Sequence, residues 1–199
     1  CLLLSTSGTT QSPKFVRLSH KNLITNTNDI IKYLKINSKH KTITTMPMAY
    51  SYGLSIINTH LHAGSTIIVN NKTVFDRSFW NLFKKYKITS FGGVPQLFEN
   101  LKKLQFNKFK FTYLKYITQA GGKVEDATLK YFGKSCKKMN IELCTMYGQT
   151  EASPRMSYLK WKNFFLKYGS VGQPLKGSSF KIMNDRGKII QSSNIIGEL

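Results

Sequence analysis

Short apolar runs alternate with longer amphipathic stretches along most of this chain, and the two periods assign its elements in turn. Leu2-Leu3-Leu4 reads as a buried strand, and Phe15-Val16-Arg17-Leu18 alternates as a short strand. Ser19 is placed to cap a helix over roughly residues 22–34. Residues 41–46 form the next strand, ended by Pro47. A helix over 50–62 carries Leu54, Ile57 and Leu61 at spacings of three and four, which predicts its inward stripe. Ala63-Gly64 closes that helix, and 65–69 is a strand of the fully buried type. Residues 76–85 are amphipathic, with Phe79, Leu82 and Phe83 inward. A strand over 87–91 turns through Gly92-Gly93-Val94-Pro95 into a helix over 96–104, with proline at its first position. Further strands are expected at 114–119 and 142–145 around a helix over about 125–139, and a short aromatic helix at 161–168. Residues 179–183 and 188–190 flank the turn Asn184-Asp185-Arg186-Gly187 as a β-hairpin.

Strand, turn and helix repeat about four times in this order, which predicts an α/β fold with a doubly wound, mostly parallel sheet and flanking helices. Residues 1–168 are assigned to that α/β portion, and 169–199 to the beginning of a small β subdomain. The chain does not start with methionine, and it is read as a piece of a longer protein. No internal repeat, low-complexity tract or flexible linker is visible in the sequence.

A net charge of +21 ordinarily raises nucleic acid as a partner. Here only Arg17, Arg77, Arg155 and Arg186 are arginine among 30 basic residues, and the lysines are scattered. Solvated lysine faces fit that pattern better than an arginine-rich base-reading surface, so nucleic acid ranks low. Cys1, Cys136 and Cys144 show no Cys-x-x-Cys spacing, which points away from a disulfide framework or zinc site and toward a reducing, cytoplasmic setting. No apolar run approaches the ~20 residues of a membrane span. His60 and His62 diverge on a helix and are poorly placed to share a metal, and His20 is assigned a structural role.

Two stretches carry chemistry. Ser5-Thr6-Ser7-Gly8-Thr9-Thr10-Gln11-Ser12-Pro13-Lys14 follows a strand and combines small residues, hydroxyls and one lysine. Such a loop can aim backbone N–H groups at phosphate while the lysine supplies a mobile charge. It is not a Walker A loop, because no Gly-Lys-Ser/Thr follows at the required spacing. Met146-Tyr147-Gly148-Gln149-Thr150-Glu151-Ala152 follows a later strand. Together the two resemble the adenylate-forming superfamily of acyl-CoA synthetases, luciferases and peptide-synthetase adenylation domains. Ser19-His20-Lys21-Asn22-Leu23, the Pro47–Gly53 segment, Gly93-Val94-Pro95, Gly121-Gly122, Gly169-Ser170-Val171-Gly172-Gln173-Pro174 and Gly197-Glu198-Leu199 match further segments of the same family. Residues 146–159 also resemble AMP-dependent synthetases of bacterial surface-polysaccharide clusters.

The resemblance implies ATP-dependent activation of a carboxylic acid to an acyl-adenylate, with release of pyrophosphate. Transfer to a thiol would follow, either coenzyme A or the phosphopantetheine of an acyl carrier protein. It assigns Thr6, Ser7, Gly8, Thr9, Thr10 and Lys14 to the outer phosphates and Thr150 to the α-phosphate. Glu151 is assigned to Mg²⁺, and Tyr147, Gly148, Gly121 and Gly122 to the nucleotide. Tyr50, Gly93, Val94 and Gly121 would border the small-molecule carboxylate. Thr150, Glu151 and Lys14 are the expected catalytic residues. Gln11 and Phe15 stand where the family usually has glycine, which puts the phosphate loop's mobility in question. The family's ribose-binding aspartate, the arginine after it and the catalytic lysine of its mobile C-terminal domain would lie beyond Leu199. This stretch alone is therefore expected to be inactive. The competing readings are adenylation of an amino or hydroxy acid for a carrier protein, a non-catalytic nucleotide-binding relic and a basic nucleic-acid module.

Overall fold

The computed structural model describes residues 2–6, 14–192 and 195–199. Two sheets form. β1 (Leu2–Thr6) and β2 (Lys14–Leu18) make a separate antiparallel pair in which Thr6 faces Lys14. The expectation of a buried first strand is corrected here, because Leu3 is 61% exposed and only Leu4 turns inward. A two-stranded ribbon has one covered face, so its side chains alternate in and out.

The main sheet has seven strands: β3 (Lys41–Ile43), β4 (Thr66–Ile68), β5 (Ser90–Gly93), β6 (Tyr116–Gln119), β7 (Glu142–Gly148), β8 (Arg155–Leu159) and β9 (Gln173–Pro174). Their spatial order is β4-β3-β5-β6-β7-β8-β9, parallel from β4 to β7 and antiparallel thereafter. β9 belongs to this sheet, so the first residues after 168 extend the α/β core. Of the expected hairpin, the bridge between Met183 and Ile189 and the bond from Asn184 N–H to the Lys188 carbonyl are formed. Met183 also bridges to Glu198.

Among the described residues five α-helices cover the sheet: α1 (His20–Leu34), α2 (Ser51–His62), α3 (Arg77–Lys85), α4 (Pro95–Lys103) and α5 (Asp126–Met139). α1 begins at a capping box, where Asn22 N–H donates to Ser19 Oγ at 3.1 Å and Ser19 N–H to Asn22 Oδ1 at 3.0 Å. The β3–α2–β4 crossover runs toward one edge, and the chain then returns to place β5, β6 and β7 on the other side of β3. That reversal lies between β3 and β5, where open α/β sheets form a crevice at the carboxyl ends of strands.

The two faces of the sheet differ in chemistry. Phe91, Ile117 and Leu143 lie in register across β5, β6 and β7 and pack with Phe79, Phe83, Phe98, Leu101 and Phe132 of α3, α4 and α5. The next row is Gly92, Thr118 and Cys144, and the row before Phe91 includes Ser90 and Tyr116. These face α1 and α2, whose inward residues include Asn26, Tyr52, Ser55, Thr59 and His60.

α2 therefore corrects the expected stripe: Leu61 is 64% exposed, and the helix turns a largely polar side to the sheet. The hydroxyl-bearing face opposite it offers hydrogen-bond partners that a leucine stripe would strand. β3 is shorter than 41–46, because Thr44 and Asn70 exchange side-chain bonds in place of further ladder bonds. The expected helix at 161–168 is one 3-10 turn, Trp161–Asn163, beyond which Phe164 is fully buried against Gly133 of α5.

Candidate active site

Among the described residues, the glycine turns singled out by sequence gather at the carboxyl ends of the parallel strands. β5 ends in Gly93 and is followed by Val94, β6 is followed by Gly121-Gly122, and β7 ends in Tyr147-Gly148. Gly121, Gly122, Tyr147 and Gly148 line one pocket of about 360 Å³, together with Thr145 and Ser170. Thr145 Oγ1 is buried without a protein partner, so it stands ready to bond a ligand or water.

Gly121 has φ +78°, and a β-carbon there would lie 2.6 Å from Tyr50 Oη and 3.0 Å from Val94 Cγ1. The position thus needs glycine on both conformational and steric grounds. Tyr50, Val94 and Gly121 form a continuous wall, with Tyr50 at the N-cap of α2. Gln119 Nε2 holds the loop by donating to the Gly122 carbonyl at 2.8 Å. Thr45 Oγ1 donates to the Gly92 carbonyl across the crevice between β3 and β5.

Thr150 and Glu151 occupy a 3-10 turn, Thr150–Ala152, directly after β7. Thr150 Oγ1 donates to Ser51 Oγ at 3.1 Å, which ties this turn to the first residue of α2. Glu151 is exposed. β2 packs against the same turn, so Lys14 starts a strand adjacent to Thr150 and Glu151. Thr6 lies opposite Lys14, and its hydroxyl donates to the Lys14 carbonyl at 3.4 Å. Ser7, Gly8, Thr9, Thr10 and Gln11 lie outside the described residues. The two ends of the phosphate-type loop are thus paired with each other, on a ribbon whose second strand packs against the turn.

The residues present fit a nucleotide in two respects: a glycine-lined pocket, and the orphaned hydroxyl of Thr145 in its lining. Among the described residues no three His, Cys, Asp or Glu converge on one point. A single carboxylate such as Glu151 suits Mg²⁺, which keeps waters and takes phosphate oxygens for its remaining positions. A larger concavity, about 840 Å³, is at the opposite end of the sheet among Lys35, Lys41, Lys87 and Lys115. It borders the amino ends of the strands, where the fold does not converge its loops.

Beneath the site is a buried polar layer that sequence reasoning missed. Arg155 of β8 is 5% exposed, its Nη2 donates to Ser55 Oγ at 3.1 Å, and its guanidinium lies 4.0 Å from the Tyr52 ring centre. Asn26 clamps the Arg155 main chain, donating from Nδ2 to its carbonyl at 2.8 Å and accepting its N–H at 3.3 Å. Arg155 Nε has no partner. Tyr52 and Thr118 share a hydroxyl hydrogen bond of 2.7 Å. Burial pushes the Tyr52 phenol and the Cys144 thiol up to about 12, and lowers His60 to about 4. All three are neutral at pH 7, which leaves Arg155 as the fixed charge of this layer. The available signal was rarity, since an arginine in a chain so biased to lysine implies a need for its planar fork.

A family model described as AMP-binding enzyme matches residues 1–199. The chain belongs to the AMP-binding enzyme family. It is 28% identical to the oxalate–CoA ligase of Saccharomyces cerevisiae over 98% of its own length and 35% of that protein's. It is 26% identical to the 2-succinylbenzoate–CoA ligase of Enterococcus faecalis, over 99% of this chain and 39% of the relative. The o-succinylbenzoate coenzyme A synthetase of Bacillus subtilis, solved with ATP and magnesium ion, shares the fold with a TM-score of 0.81 at 22% identity, over 96% of this chain and 38% of that one. This AMP-binding enzyme chain thus spans little more than a third of the relatives it matches. Among the described residues no helix is long and apolar enough to cross a membrane.

Proposed function

We propose that the protein containing this chain activates a carboxylic acid with ATP, forming an acyl-adenylate and pyrophosphate, and passes the acyl group to a thiol such as coenzyme A. The observation that carries the reading is the glycine-lined pocket at the carboxyl ends of β6 and β7, next to the turn bearing Thr150 and Glu151. A carboxylate is a poor acceptor because oxide is a poor leaving group. Exchange of that oxide for AMP makes the acyl carbon open to attack, at the cost of bringing two anions together. Positive charge and oriented donors around the α-phosphate offset that repulsion.

In this reading Thr6, Ser7, Gly8, Thr9, Thr10 and Lys14 hold the outer phosphates, and Thr150 donates to the α-phosphate. Glu151 holds Mg²⁺, which supplies charge neutralisation when bound. The Tyr147 ring packs on adenine, with Gly121, Gly122 and Gly148 along the nucleotide. Tyr50, Gly93 and Val94 border the acid. Residues 1–168 form the nucleotide- and acyl-binding portion, and 169–199 lead into a β subdomain of a longer, cytoplasmic protein. The relatives' names support coenzyme A as acceptor.

The test is acid-dependent ATP–pyrophosphate exchange by the full-length protein, with Glu151→Gln beside it. Exchange with one acid class, reduced at least a hundredfold in the variant, supports adenylation. Coenzyme A or a carrier-protein thiol added afterwards identifies the acceptor. ATP binding without exchange, for every acid, favours a nucleotide-binding relic. Loss of all ATP binding refutes the reading of residues 5–14.

A further inference from the structure

The end of the sheet opposite the glycine turns is built from the amino ends of β3, β6 and β7 and the carboxyl ends of α1 and α5. The concavity of about 840 Å³ there is lined by Lys35, Lys39, Lys41, Lys87 and Lys115, and by one carboxylate, Glu142. Among the described residues the ion pair is Lys32–Asp29, so none of these five lysines is neutralised at salt-bridge distance. A helix carboxyl end carries roughly half a negative charge. Two such ends and Glu142 therefore set about two negative charges against five positive ones. His40 in the same wall adds no charge, because burial and then Lys115 lower its value from 6.5 and leave the ring neutral at pH 7. A second concavity of about 450 Å³ adjoins, sharing Leu34, Lys35, Tyr116 and Glu142 and adding Lys32, Lys160, Lys162 and Trp161. Together they gather eight lysines around one carboxylate, against 30 basic and 9 acidic residues in the whole chain. The lysine bias of the sequence alone does not give that ratio.

The walls decide which kind of anion fits. Phosphate sites are built from free main-chain N–H groups or the planar fork of arginine. Here the N–H groups at the strand ends are already spent. That of Lys41 donates to Thr89 Oγ1 at 2.8 Å, that of Lys115 to the Thr89 carbonyl at 2.8 Å, and that of Glu142 to the Lys115 carbonyl at 2.9 Å. Among the described residues no arginine lines either hollow. Leu34, Phe111 and Met139 instead place apolar surface between the lysines, and Trp161 does the same next door. Tyr113 is 47% exposed in this wall, with Lys87 Nζ 5.3 Å from its ring centre. Ammonium groups on flexible stems suit carboxylates spaced along a chain, and the apolar surface suits side chains between them.

We propose that this groove docks an acidic polypeptide segment of a partner protein, with carboxylates on the lysines and apolar side chains on Phe111, Tyr113 and Met139. The proposal is independent of the adenylation reading, since none of these residues lines the glycine pocket.

The experiment uses the full-length protein and a fluorescein-labelled peptide of repeating Glu-Leu-Asp-Phe, with binding read by fluorescence anisotropy. The expected result is saturable binding that weakens at least about tenfold for a Gln-Leu-Asn-Phe repeat and for a Glu-Ser-Asp-Ser repeat, because charge and apolar contact are both required. Lys41→Glu combined with Lys115→Glu should weaken it at least about tenfold as well, since like charges then face each other. Lys21→Glu combined with Lys134→Glu makes the same change of net charge at exposed positions outside the groove and should leave binding unchanged. If the first pair does not fold, Lys87→Glu carries the comparison. Equal weakening by both pairs overturns the proposal, because the attraction is then unspecific. Inorganic polyphosphate or oligothymidylate binding more tightly than the peptide, and displacing it, overturns it in favour of a phosphate site. Acetic anhydride supplies the last arm, read by mass spectrometry. Lys35, Lys41, Lys87 and Lys115 that react in the free protein and are protected by the peptide support the groove. The same lysines unreactive without peptide overturn it, because the protein's own remainder then fills the site.

Discussion

His60 offers a sharp test of the polar layer. Its ring is buried; Nδ1 lies 2.8 Å from the Ile56 carbonyl and Nε2 lies 3.4 Å from Ser90 Oγ. This pattern assigns the neutral tautomer with the proton on Nδ1, donated to the carbonyl. Burial lowers the folded value to about 4 from an ordinary 6.5. As pH falls, the unfolded chain takes up the proton first, so stability present above 6.5 declines until the folded ring also titrates near 4. The slope is about 1.4 kcal/mol per pH unit, which gives about 2 kcal/mol lost by pH 5 and about 3 kcal/mol over the full interval. His60→Gln removes this titration and keeps a polar side chain. Urea unfolding of wild type and variant at pH 7, 6 and 5 should therefore show the gap between them closing by about 2 kcal/mol. His40, whose value burial also lowers, and the carboxylates remain in both proteins and cancel. A gap that stays constant across that range would refute the assignment of a buried neutral imidazole.

Three further substitutions probe the surroundings. Gly121→Ala forces a side chain into a left-handed backbone and onto the Tyr50 hydroxyl, so a melting loss of about 1–2 kcal/mol and a roughly tenfold rise in KM for the acid are expected in exchange kinetics. Asn26→Ala leaves the buried N–H and carbonyl of Arg155 without partners and should lower unfolding free energy by about 2–3 kcal/mol in urea. Gly133→Ala sets two effects against each other: helix propensity favours alanine by about 1 kcal/mol, and overpacking costs about 1–3 kcal/mol. The new β-carbon would lie 2.4 Å from Cε1 of the fully buried Phe164, so the clash should win and chemical denaturation should show net destabilisation.

What was legible in the sequence followed from how strongly each element depends on apolar contrast. α3, α4 and α5 face a hydrocarbon layer, and Phe79, Phe83, Phe98 and Phe132 announce it at helical spacing. α2 misleads the same reasoning because its inward residues are Tyr52, Ser55, Thr59 and His60, matched to hydroxyls on the strands rather than to oil. β8 hides for a related reason: its inward residues are Arg155, Ser157 and Leu159, and only the last reads as core. The order of the strands depends on which edge each crossover chooses, which no local pattern encodes. At the candidate site, Gly121, Gly122, Tyr147 and Gly148 stood out through their motif, and the fold brings them to one pocket. Arg155 lay inside the 146–159 resemblance without a role attached to it, and its burial became visible only when Ser55, a hundred residues earlier, was seen to bond it.

The alternation of β5, β6 and β7 separates two tasks at single-residue intervals. Phe91, Ile117 and Leu143 point into the hydrocarbon layer, and their immediate neighbours Ser90, Gly92, Thr118 and Cys144 point toward α1 and α2. A lineage can therefore rewrite the second set, exchanging one hydroxyl or methyl at a time, while the first set keeps the scaffold upright. Drift in this protein is expected to run along every other position of three short strands, so that a change of diet needs no change of architecture.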